Sequence, residues 1–162
     1  MKRVFSFFLL MCLLMTFLFS CSGKSYKNDV EVDTLKEKVE ELLPVEYGYT
    51  EVDQDYFDIY FGFSDKISDF SVVLSSASVD LNEFGIFHVK DKEDISAVKA
   101  KIQSYMDDQK SVNIPSVQTY APSEVPKLEK GSIKVFGNYI VYLFLFPDDQ
   151  TVVYKAIENL LK

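Results

Sequence analysis

An α+β domain is predicted: a two-layer arrangement of about four antiparallel strands with helices packed on the sheet. Three observations predict it. Ile133–Phe136 and Tyr139–Phe146 are strand-like runs flanking Gly137-Asn138, which is the signature of a tight hairpin with glycine supplying a positive φ. Residues 70–77 and 84–89 form a second pair of strand-like runs. Helical periodicity follows each pair, giving the order β-β-α-(α)-β-β-α after an N-terminal helix. Strands joined by hairpins are antiparallel.

The elements take their limits from local chemistry. In Asp33–Leu43, residues Leu35, Val39, Leu42 and Leu43 make one apolar stripe at helical spacing. Thr34 with Glu37 fits a capping box, and Pro44 stops the run. Tyr47 to Phe63 holds seven aromatics among acids and fits neither period, so it is expected as mixed turns and short helix over the core. Phe70, Val72 and Leu74 alternate. Asp91, with Asp94 three places on, stands where an N-cap belongs, ahead of a helical face of Ile95, Val98, Ile102, Tyr105 and Met106. Pro115, Pro122 and Pro126 break the next segment, leaving room for one short turn at Val125 and Leu128. Tyr139–Phe146 is apolar throughout, as in a central strand covered on both faces. Pro147 ends it. Asp148 or Asp149 caps a last helix lined by Val152, Val153, Ala156, Ile157, Leu160 and Leu161.

The first twenty-one residues are of another kind. Lys2 and Arg3 precede seventeen uncharged residues, Val4 to Ser20, which are the n-region and h-region of a secretory signal. The run closes Leu18-Phe19-Ser20-Cys21, similar to the lipobox of bacterial lipoproteins: an aliphatic residue three places before the cysteine and a small residue just before it. Phe19 is larger than that pattern prefers. Residues 1–21 are therefore expected to be a lipoprotein signal peptide, with Cys21 the lipidation site and the extracytoplasmic face of the cell membrane the destination. An uncleaved helix is the alternative, since seventeen residues reach the lower limit for spanning a bilayer. Residues 22–32 are expected as a flexible tether of roughly 18 Å r.m.s. span, leading to a single domain over 33–162.

Removing residues 1–21 takes Lys2 and Arg3 and no acid, leaving 15 basic and 25 acidic residues and a net charge of −10. That balance opposes nucleic-acid binding, which draws its affinity from Lys and Arg on phosphates. Only Cys21 remains of the two cysteines, so the mature chain forms no internal disulfide, thiol catalyst or Cys-based metal site.

Residues Asn82 to Asp91, then Tyr120-Ala121-Pro122 after a helix, and Gly137-Asn138-Tyr139-Ile140-Val141 resemble the DUF4358 family of lipoproteins from Gram-positive bacteria. The resemblance covers roughly 70–162. It implies location and fold, and no activity.

Candidate chemistry is thin. His88, the only histidine, sits between Phe87 and Val89 in a strand and reads as an outward-facing residue, with no nucleophile motif to serve. Asp53, Asp55 and Asp58 depart from the calcium-loop pattern and read as solvated turn acids. No phosphate-binding glycine loop is present, and nothing calls for a cofactor or a metal. The aromatic segment is the most suggestive feature. Tyr47, Tyr49, Tyr56 and Tyr60 are the candidate partner surface for another envelope protein, against the plainer expectation that they cover the sheet with only their hydroxyls wet. The sequence favours a non-enzymatic binding or accessory module of the cell envelope, and an extracytoplasmic hydrolase using carboxylates is the competing class.

Overall fold

The computed structural model describes residues 25–43, 48–77 and 80–162. Cys21, Tyr47, the signal segment and the stop at Pro44 lie outside the described residues. Ten elements follow in order: α1 (Val32–Leu42), β1 (Tyr49–Glu51), α2 (Gln54–Tyr60), β2 (Ile67–Ser75), β3 (Glu83–Val89), α3 (Ile95–Tyr120), α4 (Val125–Glu129), β4 (Ser132–Phe136), β5 (Tyr139–Phe144) and α5 (Pro147–Leu161). The five strands form one antiparallel sheet in the order β1-β2-β3-β5-β4. The α+β class is as predicted. The extra strand is β1, three residues at the sheet edge from the aromatic segment that showed no clear period.

Helices cover both faces of this sheet, so the domain has three layers rather than two. β5 shows why. Tyr139, Val141 and Leu143 enter a core with α1 and α5, whereas Ile140, Tyr142 and Phe144 enter a second core with α2, α3 and α4. A strand side chain alternates faces with period 2, so a run that is apolar at every position needs cover on both sides. The uniformly apolar β5 run carried that information.

Several expected helix ends move. α1 begins at Val32, and Glu31 is its N-cap with no side-chain bond, so Thr34 lies inside the helix and the capping box does not form. Burying Val32 beside Leu35 and Val39 outweighs one capping bond of about 1 kcal/mol. Asp91 likewise makes no side-chain cap. A 3-10 turn, Lys92–Asp94, leads into α3 instead. At the last helix Phe146 is the N-cap and Pro147 takes the first helical position, with Asp148 and Asp149 in the first turn and no side-chain cap bond. Proline suits that position because its missing N–H would be unpaired there anyway.

Pro115 does not break the chain. It lies inside α3, which runs for 26 residues. An interior proline costs about 3 kcal/mol, and continuing the helix brings Ile114 and Val117 onto the aromatic core. The hairpin falls where expected, with Gly137 at φ 61°. Asn138 ties it to β3, its Nδ2 donating to the Val89 carbonyl at 3.0 Å and its carbonyl accepting from the Val89 N–H at 2.9 Å.

Residues 26–30, part of the segment expected to be a flexible tether, lie against the domain as a strap. Tyr26 packs edge-on to Phe136, the Lys27 N–H donates to the Leu161 carbonyl at 2.6 Å, and the Tyr139 hydroxyl donates to the Val30 carbonyl at 2.6 Å. Among the described residues no helix is long and apolar enough to cross a membrane.

Candidate functional site

β3 opens on an acid and is otherwise almost wholly apolar. The period-2 phase of Glu83-Phe84-Gly85-Ile86-Phe87 puts Glu83 on the same face as Phe87, inside the aromatic core, where it is 8 % exposed. Two tyrosines hold it there. Tyr105 from α3 and Tyr142 from β5 donate to Glu83 Oε1 at 2.7 and 2.6 Å. Gly85, next on that face, makes room for Tyr142: a Cβ there would stand 2.1 Å from the ring. Tyr56 from α2 lies 3.1 Å from the Tyr105 hydroxyl. The Tyr105 proton is committed to Glu83, so Tyr56 donates and Tyr105 accepts. The three hydroxyls and the acid thus form one branched chain, reaching from half-buried Tyr56 inward to Glu83.

Glu83 Oε2 is free. It has no hydrogen-bond partner among the described residues. Among the described residues the one sealed side-chain polar atom without a partner is Asn82 Oδ1, so Oε2 is not sealed in. Glu83 lines a cavity of about 250 Å³ that is also bounded by Asp80, Asn82, Gln109, Asn113 and Leu128. Burial drives the Glu83 carboxyl above its ordinary range, and the two tyrosine bonds only partly oppose this. Tyr105 and Tyr142 are both raised, first by burial and then by the nearby Glu83.

Asp80 is the contrasting acid in the same wall. Burial would raise it too, but the bonds from Lys127 Nζ and the Asn82 N–H outweigh that, and it stays below its ordinary range. Lys127, almost fully buried, bridges Asp80 at 2.7 Å and Glu124 at 2.6 Å. A larger groove of about 410 Å³ runs between the strap and the Gly137-Asn138 hairpin. Its one buried polar side chain, Asn138, is already committed to the Val89 and Lys90 carbonyls, so the groove is a seam rather than a built site.

Of the candidate surface tyrosines, Tyr47 lies outside the described residues and the Tyr56 and Tyr60 rings pack together at 4.4 Å. Tyr49 turns toward the opposite core, edge-on to Phe84, its hydroxyl donating to the Leu43 carbonyl. Tyr56 belongs to the Glu83 chain. Tyr60 is half-exposed beside Ile59, which is 75 % exposed, and these two are all of segment 48–63 that presents a large apolar side chain outward. Asp53 caps α2 by accepting from the Tyr56 N–H, and Asp58 accepts from Gln54. Among the described residues no group of three or more His, Cys, Asp or Glu is placed to hold a metal ion.

His88 is more engaged than an outward-facing residue. Its ring stacks on Tyr139 at 4.4 Å, Nδ1 lies 2.9 Å from Ser68 Oγ, and Nε2 lies 3.1 Å from Asn28 Oδ1 on the strap. It is a fastening for the N-terminal segment. Burial lowers its pKa, with Asp69 opposing.

The family model described as "Domain of unknown function (DUF4358)" matches residues 44–145, well over half of the chain. The match takes in the segment before residue 70 that the sequence resemblance had left out, and it stops before α5. It contains all five strands and every residue of the Glu83 cavity. No curated protein and no solved structure matches the chain.

Proposed function

The chain belongs to the DUF4358 family, and from that premise we propose that it is a membrane-tethered extracytoplasmic lipoprotein whose domain is a non-enzymatic binding or accessory module of the cell envelope. The observation that carries the address is the uncharged run after Lys2-Arg3, ending at Cys21. A diacylated Cys21 is a lasting anchor, since two chains hold where one binds only reversibly. The strap supports the same reading. Fixed structure begins by Tyr26, five residues after Cys21, so a lipid there holds the domain within about 18 Å of the bilayer. The free oxygen of Glu83 supports a binding role, because it gives the cavity one uncommitted polar group. Labelling with radioactive palmitate and fractionation of cells test the address. The wild-type chain takes up label and sediments with membranes, and Cys21→Ser loses both. A Cys21→Ser chain that stays as firmly membrane-bound would establish the uncleaved helix instead.

A second reading, a hydrolase using carboxylates, has one observation in its favour. Glu83 and Asp80 line the same cavity and are shifted in opposite directions, as paired acid and carboxylate groups are in such enzymes. Asp80, however, is already engaged by buried Lys127, which weakens it as a base or nucleophile. Turnover of nitrophenyl glycosides by the parent, abolished in both Asp80→Asn and Glu83→Gln, would replace the binding reading.

A further inference from the structure

We infer that the cavity behind Glu83 binds a small organic cation, a primary ammonium on a short apolar stem. The inference deepens the binding-module reading and rests on the domain having a ligand, not on the lipid anchor. Among the described residues two carboxyl groups line this space, Asp80 and Glu83, and Lys127 bridges Asp80 to a third, Glu124. Lys127 is divided between Asp80 and Glu124. Among the described residues Glu83 pairs with no cation and takes only the hydroxyls of Tyr105 and Tyr142, both of which go to Oε1.

A carboxyl group that is 8 % exposed and unpaired is costly unless it stays neutral or meets a counter-charge. Replacing both tyrosine partners and the acid with apolar groups of the same shape would remove that cost. The open oxygen is the position at which an incoming ammonium would gain a charge-assisted bond in a poorly hydrated site.

The remaining walls set the size and shape of the guest. Leu81, Val117 and Leu128 are apolar, while Gln109 and Asn113 bond to each other at 2.8 Å and offer further polar atoms on the α3 side. At about 250 Å³ the space falls at the small end of ligand pockets, which run to roughly 300–1,000 Å³. It suits a charged head with a stem of a few carbons. A carboxylate ligand would meet Glu83 and Asp80 as like charges and is rejected on that ground.

Calorimetric titration of the full chain in neutral detergent micelles tests this, with n-butylammonium as the probe and butyrate and n-butanol as controls. Saturable binding of n-butylammonium is expected, at least tenfold tighter than n-butanol, with none for butyrate. Glu83→Gln, which keeps an oxygen for the tyrosines, should weaken the ammonium at least tenfold while its circular dichroism matches the parent. Asn113→Leu, on a half-buried position of α3, narrows the cavity without touching Glu83 and should also weaken it at least tenfold. This second variant decides the matter if the first fails to fold. Absence of saturable binding, equal affinity for n-butanol, or undiminished affinity in folded Glu83→Gln or Asn113→Leu would overturn the inference. An envelope protein captured by crosslinking alongside a blank titration would overturn the ligand class alone and leave the binding-module reading standing.

Discussion

The two faces of the sheet are built from the same strands and differ in kind. On the face covered by α1 and α5, β5 contributes Tyr139, Val141 and Leu143 to a largely aliphatic core with Leu35, Val39, Ile157 and Leu161. On the other, Ile140, Tyr142 and Phe144 meet Phe57, Phe61, Phe63, Phe87 and Tyr105, ring against ring at 4.2–6.3 Å. Among the described residues the buried acid, Glu83, lies on the aromatic face. On the aliphatic side α5 buries a neutral amide, Gln150, whose Nε2 donates to the Lys130 and Leu145 carbonyls. Rings with hydroxyls bring hydrogen-bond donors into the core, and those donors make a buried carboxyl tolerable. The first face buries a neutral amide and the second a titratable acid.

The largest effects should come from packing, and they break the two faces in opposite ways. Leu143→Ala empties the aliphatic face and is expected to cost about 2–5 kcal/mol. Gly85→Ala overfills the aromatic face, because the new Cβ would strike the ring of fully buried Tyr142; about 3 kcal/mol is expected. Urea unfolding read by circular dichroism measures both. A neutral Gly85→Ala would mean that the Tyr142 ring is free to move.

The next effect separates the faces by charge. Glu83→Leu strands the Tyr105 and Tyr142 hydroxyls and should cost about 1–3 kcal/mol, whereas Glu83→Gln keeps an acceptor and should cost less. The pH dependence has a definite sign. Glu83 is raised from 4.5 in the fold, so its contribution is fully present below that value and is lost as pH rises through the folded value. Asp80 is lowered from 3.8, so its contribution is present above that value and is lost as pH falls through the folded one. Stability curves from pH 3 to 8 should therefore show an alkaline-side decline that Glu83→Gln removes and an acid limb that Asp80→Asn removes. A decline that persists in Glu83→Gln would mean another group is responsible.

The smallest effect belongs to the strap. His88 is lowered from 6.5, so the stabilisation it gives is present above pH 6.5 and is lost as pH falls through its folded value. Protonation also removes the acceptor nitrogen from the set of bonds linking Ser68, His88 and Asn28. Amide exchange over residues 26–31, corrected for intrinsic rates, should quicken between pH 7 and pH 5, corresponding to about 1 kcal/mol or less. His88→Gln should abolish that pH dependence. Unchanged exchange would leave the aromatic and backbone contacts of Tyr26 and Lys27 as the whole fastening.

Legibility followed the range of the interactions. The α+β class, the hairpin at Gly137-Asn138 and the double burial of β5 rest on periodicity and turn chemistry, which act over a few residues. Glu83 was within reach by the same means, because the alternation that places Phe87 inside places Glu83 inside too. His88 was not, since its bonds reach Asn28 sixty positions away. Nor was the fate of the tyrosines: Tyr49 and Tyr56 are seven residues apart in sequence and pack into opposite cores, because the edge strand β1 and the helix α2 lie between those fates.

The sequence by itself determined the class of fold, the double burial of β5 and the unusual character of the segment ending at Cys21, all properties of neighbouring residues. The tertiary structure alone decided which helices cover each face, that Pro115 sits within a helix, that the strap is fastened down, and that a buried carboxyl lines a cavity. Each of these is settled by which surfaces distant segments bury together, and burial of that kind outweighs a local cap of about 1 kcal/mol or a local proline penalty of about 3 kcal/mol.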